Sequence, residues 1–225
     1  MSEVVLVVVA HSDDESISMA GTIVKHVLKG DKVFVVSMTD GVGARDNADI
    51  DERKRRKVSS NIASQELGFQ WGPCFDFHDN AMDGYPLIRV IKAVEQAKLE
   101  YRPTLVYTHS AADLNVDHRV VTNAVLTAFR PEPNEVCKEL RLFEVASSTD
   151  YGHAAVTGIF TPNLFIDISR EWPSKKRALN AYSAEMRDYP HSRSIKGIEN
   201  LAKLRGSQVG YEYAEAFEVI RKLES

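Results

Sequence analysis

The chain is short of several things that would settle its role by composition alone. Among 225 residues there are only two cysteines, Cys74 and Cys137, with no paired or metal-type spacing. A structural zinc site built on thiolates is therefore excluded, and the low cysteine usage fits a reduced, cytoplasmic setting. No apolar run approaches the roughly 20 residues that span a bilayer. The aliphatic stretch at the start has neither a basic leader nor a cleavage site, so stable membrane insertion is not expected, although contact with a membrane-borne substrate stays open. Surplus positive charge is missing as well: 28 Lys and Arg face 32 Asp and Glu, a net −4. A general nucleic-acid partner has no electrostatic support. The one basic run, "ERKRRK" from Glu52 to Lys57, reads as a solvated helix face before it reads as a phosphate patch. Repeats, linkers and low-complexity tracts are also absent, so residues 1–225 are expected to form a single domain.

What is present is an alternation of short aliphatic runs with amphipathic segments. "VVLVVVA" from Val4 is nearly continuous Val and Leu, as a strand covered on both faces requires. "KVFVVSMTD", "CFDF", "TLVYTH", "RLFEVA" and "NLFIDIS" are further strand candidates. Between them, Ile17, Ala20, Val24, Val27 and Leu28 form one helical stripe that Gly30 is placed to end. A second stripe follows Pro86, and a third runs from Val121 to Ala128 before Pro131. Strands alternating with helices predict an α/β protein, a Rossmann-like open and mostly parallel sheet with helices on both faces. Beyond about residue 130, further strands and polar helices are expected to wall one side of the site. "AEAF", Ala214 to Phe217, reads there as an amphipathic helix with Phe217 and Ile220 turned inward.

Two clusters of imidazole and carboxylate follow strands. The first is "AHSDDE", with His11, Asp13, Asp14 and Glu15; the second, "HSAADLNVDHR", carries His109, Asp113, Asp117 and His118. Locally, Ser12 and Glu15 also fit a capping box at a helix start. Capping does not account for His11 or for a second cluster at another strand end. In open α/β sheets ligands bind at the carboxyl ends of strands, and mixed His and Asp donors suit a catalytic zinc with an open position.

On these residues the chain resembles the LmbE-like or PIG-L-like zinc-dependent N-deacetylases. "AHSDDE" is similar to that family's AHPDDE motif and "DLNVDHR" to a second motif containing HPDH. "GTIVKHVLKG", "MTDG" and "ELGF" fall in the same order. The resemblance implies His11, Asp14 and His118 as ligands of a Zn2+ ion, with Asp13 as the base that activates zinc-bound water. Fe2+ suits the same donors. Two departures stand out. Ser12 replaces a proline, and Asn115 stands where the family has a histidine implied to stabilise the oxyanion and protonate the leaving amine. An amide donates a hydrogen bond but supplies no titrating proton. His109 or His191 could do that work, or Asp13 could shuttle the proton both ways.

For the substrate, the resemblance points to Asp79 as an acceptor of sugar hydroxyls and to Arg56, rather than Arg53 or Arg55, as a substrate contact. His191 and Arg193, in the loop "DYPHSRS", are expected over the site to read a phosphate or sugar. The glycine-containing loop "DGVGARDN", Asp40 to Asn47, is expected to be a rim loop rather than a nucleotide cradle. The implied activity is removal of an N-acyl group, acetyl in the first instance, from an amino sugar or sugar conjugate. The partner is then a small molecule, and homo-oligomerisation is left open. The competing readings are a deformylase or amidase on another N-acyl substrate, and a non-catalytic α/β protein that binds a sugar or nucleotide.

Overall fold

The computed structural model describes residues 2–44 and 50–224. Strand β1 (Val4–Val9) leads into α1 (Asp14–Lys29), β2 (Lys32–Thr39), α2 (Ile50–Leu67) and β3 (Gln70–Phe77). Then come α3 (Leu87–Tyr101), β4 (Leu105–His109), α4 (Val116–Ala128) and β5 (Glu139–Phe143). The last part holds α5 (Ala154–Thr157), β6 (Leu164–Asp167), α6 (Trp172–Ala181), α7 (Ile195–Ser207) and β7 (Ala214–Lys222). The glycine-containing loop after β2 runs past residue 44 into a stretch outside the described residues. Among the described residues no helix is long and apolar enough to cross a membrane.

The strands form one seven-stranded sheet in the order β3-β2-β1-β4-β5-β7-β6. β3 through β5 are parallel, and β7 runs antiparallel to both β5 and β6. The continuous valines of β1 make sense here, because side chains of a central strand alternate between two covered faces. Val5, Val7 and Val9 enter the core under α1, α6 and α7, while Leu6 and Val8 enter the core under α3 and α4. Each is fully buried, and burying a side chain of this size is worth about 1.5–3 kcal/mol.

The order in which parallel strands are added reverses between β1 and β4. The chain steps outward from β1 to β2 and β3, then returns to build β4 and β5 on the other side. Parallel strands that part in this way leave a crevice at their carboxyl ends. Both motif clusters follow the two strands that border it.

The expectation of a helix at Ala214 to Phe217 is corrected: this segment is β7. Phe217 is indeed buried, but Ile220 is 43% exposed. Two alanines and a glutamate made the segment look helical by propensity. The pairing partners of β7 decide otherwise, because Glu215 has a specific place to go. α1 is kinked at Met19 (φ −138°, ψ 23°), which leaves amides of its second half without helical acceptors. Glu215 accepts hydrogen bonds from the Gly21 and Thr22 amides at 3.0 and 2.7 Å and from the Thr22 hydroxyl at 2.6 Å. Lys175 of α6, itself buried, closes the arrangement with a 2.7 Å ion pair to Glu215 and a bond to the Ser18 carbonyl. Gly21 is required there, since a Cβ would lie 2.6 Å from Ile168.

Candidate active site

At the end of β1 the chain turns tightly. The His11 carbonyl accepts from the amides of Asp13 and Asp14, and the His11 amide donates to Asp14 Oδ2 at 2.9 Å. This fold-back aims the Asp14 carboxylate at the His11 ring. From the other side of the crevice, α4 presents His118 from its first turn. Three atoms then meet: His11 Nδ1 to Asp14 Oδ2 is 3.2 Å, His118 Nε2 to Asp14 Oδ2 is 3.4 Å, and His118 Nε2 to His11 Nδ1 is 3.3 Å. All three residues are buried.

That triangle can be tested against a cation. Zinc binds His nitrogen and carboxylate oxygen at about 2.0–2.1 Å in tetrahedral sites, which sets neighbouring donors about 3.3–3.4 Å apart. The observed edges have this length. Asp14 Oδ1 is buried with no hydrogen-bond partner among the described residues. The charge balance points the same way. Burial alone would lower the His118 pKa, yet Asp14 and Asp113 raise it to about 9. Burial opposes protonation of His11 too, and Asp14, Asp117 and Asp79 together still hold it well above its usual value. Asp14 is held well below the ordinary carboxylate range, the three surrounding imidazoles overriding its burial. The pocket thus demands positive charge at its centre, and a divalent cation would replace those protons.

The supporting shell fixes each ring. Asp113 accepts from His118 Nδ1 at 3.0 Å, which leaves Nε2 facing the triangle. Asp113 is itself gripped by the hydroxyls of Ser148 and Thr149 and by the Asn115 amide. His11 Nε2 faces Asp79 Oδ1 at 3.1 Å and Asp117 Oδ2 at 3.3 Å. These three could form a second cation-holding group that shares His11. The carboxylate of Asp117 already accepts the amides of Asn80 (2.7 Å) and Met82 (3.0 Å). We therefore read it as an orienting partner for the His11 N–H.

The remaining sequence-identified residues divide. Asp13 precedes Asp14 in the chain: its Oδ1 takes a 3.0 Å ion pair from Arg56 Nη2, and its Oδ2 is buried with no hydrogen bond among the described residues. Arg56, 6% exposed, also pairs with Glu185 at 2.8 Å and donates to Ser12 Oγ. Arg193 Nη1 stands 3.7 Å from Asp13 Oδ2. His191 is half-buried, and its Nδ1 accepts the Arg193 amide. Asp79 is turned toward His11 and accepts the Ala44 amide. Asn115 caps α4, accepting from the Asp117 amide while its Nδ2 donates to Asn80. His109 is fully buried and stacked 3.9 Å behind His118. Its Nε2 accepts the Ala10 amide at 2.8 Å, and burial and the neighbouring His118 keep its pKa well below the usual value.

The capping-box reading of Ser12 and Glu15 fails. Asp13 occupies the cap position without a side-chain bond, and Ser12 serves Arg56 instead. Glu15 is buried against Ser16 and Tyr182, and burial pushes its pKa up to about 8. Sequence reading passed over the "SST" stretch, Ser147 to Thr149, which follows β5 at the same rim. Three consecutive hydroxyls at a third strand end were the available signal.

A cavity of about 250 Å3 opens beside Ser12 and Arg56, lined further by Thr39, Arg53, Trp71 and Asp76. A larger hollow of about 410 Å3 lies between Lys98–Pro103 and Glu132–Val136, at the opposite ends of the strands. It holds no imidazole and is remote from the triangle.

With this geometry in place, comparison with known proteins is informative. Residues 6–129 match the model of the family described as PIG-L, GlcNAc-PI de-N-acetylase. The chain belongs to that family, a family of deacetylases. Among solved structures it is similar to the N,N'-diacetylchitobiose deacetylase of Pyrococcus horikoshii, with 21% identity, 97% of this chain and 84% of that one covered, and a TM-score of 0.76. A teicoplanin deacetylase, solved in a zinc-inhibited form, shares 17% identity over 98% of this chain and 99% of that one, with a TM-score of 0.74. The 4-carboxy-2-hydroxymuconate hydratase GalB of Pseudomonas putida KT2440 is as similar, at 20% identity, 99% and 98% coverage and a TM-score of 0.78. These likenesses establish the fold. The hydratase among them makes the point that the fold alone does not choose the reaction.

Proposed function

We propose that the protein is a divalent-metal-dependent N-deacylase that releases an acyl group, acetyl first of all, from an amino sugar or sugar conjugate. The observation that carries this reading is the triangle of His11, Asp14 and His118, next in the chain to Asp13, whose buried Oδ2 makes no hydrogen bond among the described residues. Those three residues would hold Zn2+, or Fe2+ with the same donors. Such an ion, when bound, polarises an acyl carbonyl and makes a nearby water acidic enough to lose a proton near neutral pH.

The chain's own groups do the rest. Asp13 Oδ2 accepts the proton of the attacking water, with Arg56 holding the opposite carboxylate oxygen in place. Departure of the amine requires that proton to be returned. Asn115 has none to give, and His109 is sealed behind His118 with Nε2 committed to a backbone amide. His191 has its Nδ1 committed to the Arg193 amide and is assigned to the substrate, so both transfers are assigned to Asp13. The cavity of about 250 Å3 beside Ser12 and Arg56 is the space assigned to the sugar. His191 stands on the same rim as Arg193, a place suited to a substrate contact, whereas Asp79 is better placed to orient His11 than to meet a sugar hydroxyl.

Two experiments address this reading. A panel of N-acetyl and N-formyl amino sugars, free and nucleotide-linked, should give acid release with at least one N-acetyl member when one equivalent of Zn2+ is supplied. Cleavage confined to non-sugar amides, or none at all, contradicts it. Asp113→Ala should weaken Zn2+ binding by about 10- to 100-fold, since the Nδ1 partner of His118 is lost; an unchanged dissociation constant in a competition titration removes Asp113 from the account.

A further inference from the structure

We propose that Arg193 is a catalytic residue that stabilises the oxyanion formed as water adds to the acyl carbon, rather than a reader of the sugar. This rests on the deacylase reading above. Arg193 comes from the segment between α6 and α7, yet its guanidinium is tethered at the crevice through one bond and its backbone is pinned by another. Its Nε donates to Ser147 Oγ at 2.9 Å, and its backbone amide donates to His191 Nδ1 at 3.1 Å. Ser147 holds a left-handed backbone, φ +66°. Non-glycine residues adopt that conformation at a cost of about 1–3 kcal/mol and do so preferentially at functional sites. The next two residues, Ser148 and Thr149, grip Asp113 and through it His118. One strained tripeptide therefore sets both Arg193 and a cation-facing imidazole.

The terminal nitrogens of Arg193 make no hydrogen bond among the described residues. Nη1 instead faces Asp13 Oδ2 across 3.7 Å, too far for a direct hydrogen bond and wide enough to share a third atom. Asp13 Oδ2 is likewise without a hydrogen bond among the described residues. A proton acceptor and a cationic donor thus converge on one place. In the reaction, the water oxygen bonds to the acyl carbon, its proton passes to Asp13, and the carbonyl π pair moves onto the carbonyl oxygen. That new negative charge arises within reach of a guanidinium whose terminal nitrogens make no hydrogen bond among the described residues and whose Nη1 stands 3.7 Å from Asp13. When the C–N bond breaks, the pair returns, the proton goes from Asp13 to the amine, and a carboxylic acid and an amine result. A donor already aimed at charge that exists only in the transition state acts on turnover and little on ground-state binding.

The test uses the full chain loaded with Zn2+ and the best N-acetyl amino sugar of the panel. Arg193→Gln should lower kcat by about 10^2- to 10^3-fold, the range for one oxyanion donor, with KM within about 3-fold. Arg193→Lys, which keeps the charge, should recover part of the loss. Binding gives the second readout. The methylphosphonamidate of glucosamine, a tetrahedral anion, should bind Arg193→Gln about 10^2-fold more weakly, while glucosamine itself binds as before. A loss confined to KM, or equal losses for glucosamine and the phosphonamidate, would make Arg193 a sugar contact and overturn the proposal. A slow variant that still binds the phosphonamidate normally makes it merely a support for Asp13 and overturns the proposal equally. If the wild type turns over and Arg193→Gln matches it, only this assignment falls; a wild type inactive on the whole panel takes the deacylase reading down with it.

Discussion

Replacing Asp13 with Asn should leave the fold and the bound cation intact and cut kcat by about 10^2- to 10^4-fold, the contribution of a positioned general base. Asn keeps the shape and can still face Arg56, and Asp13 is not one of the three converging donors. What disappears is proton acceptance, at the one buried oxygen of the pair that has no hydrogen bond among the described residues. Asn115 offers no titrating group, His109 is sealed off, and His191 has its Nδ1 committed to the Arg193 amide, so both transfers are assigned to Asp13. Turnover and elemental analysis on the same preparation make the check. An Asp13→Asn protein with a full equivalent of metal and a rate within about threefold of wild type would remove Asp13 from the chemistry.

The largest stability effect is expected far from the reaction, at Glu215. Glu215→Ala should cost about 3–5 kcal/mol, the range for breaking one partner out of a buried ion pair. Lys175 would be left as an uncompensated buried charge, and the Gly21 and Thr22 amides at the α1 kink would lose their acceptor. Both charged side chains are at most 3% exposed, so screening by water offers little relief. The double change Glu215→Ala with Lys175→Met should restore part of the loss, because it removes the orphaned charge. Urea unfolding reads this directly as a shift of the midpoint at constant slope. A single-variant loss below about 1 kcal/mol, typical of an exposed pair, would contradict the buried-network account.

The comparison of these two regions shows what a sequence discloses and what it withholds. The inner strands were legible because covered parallel strands are rich in apolar residues, as β1 is throughout and β2 is from Val33 to Val36. β3 was only partly legible: just its "CFDF" end stood out, because an edge strand carrying Gly72 and Pro73 lacks the aliphatic signature. β7 was misread as a helix because its alternation is masked by two alanines and by a glutamate whose burial depends on Lys175, forty residues away. Nothing local to "AEAF" announces that partner.

The site follows the same division. His11 and Asp14 were legible just beyond β1 and His118 at the start of the helix that follows β4, and the chemistry of imidazole and carboxylate is the same wherever it occurs. Their convergence depends on β1 and β4 being neighbours, which is a property of strand order. The grip of Ser148 and Thr149 on Asp113, the tether from Ser147 to Arg193, and the pairing of Arg56 with both Asp13 and Glu185 all join segments distant in sequence. Glu15 shows the converse error, since a buried carboxylate and a helix-capping one are written with the same letter.

The central claim is that His11, Asp14 and His118 enclose one divalent cation. It is tested most directly by metal content and X-ray absorption on the Zn2+-loaded wild type and on His118→Ala. The account predicts about one zinc per wild-type chain, with nitrogen and oxygen neighbours at about 2.0–2.1 Å, and its loss from a His118→Ala protein that still unfolds cooperatively. A folded His118→Ala chain that keeps its full equivalent of zinc in unchanged coordination would contradict it.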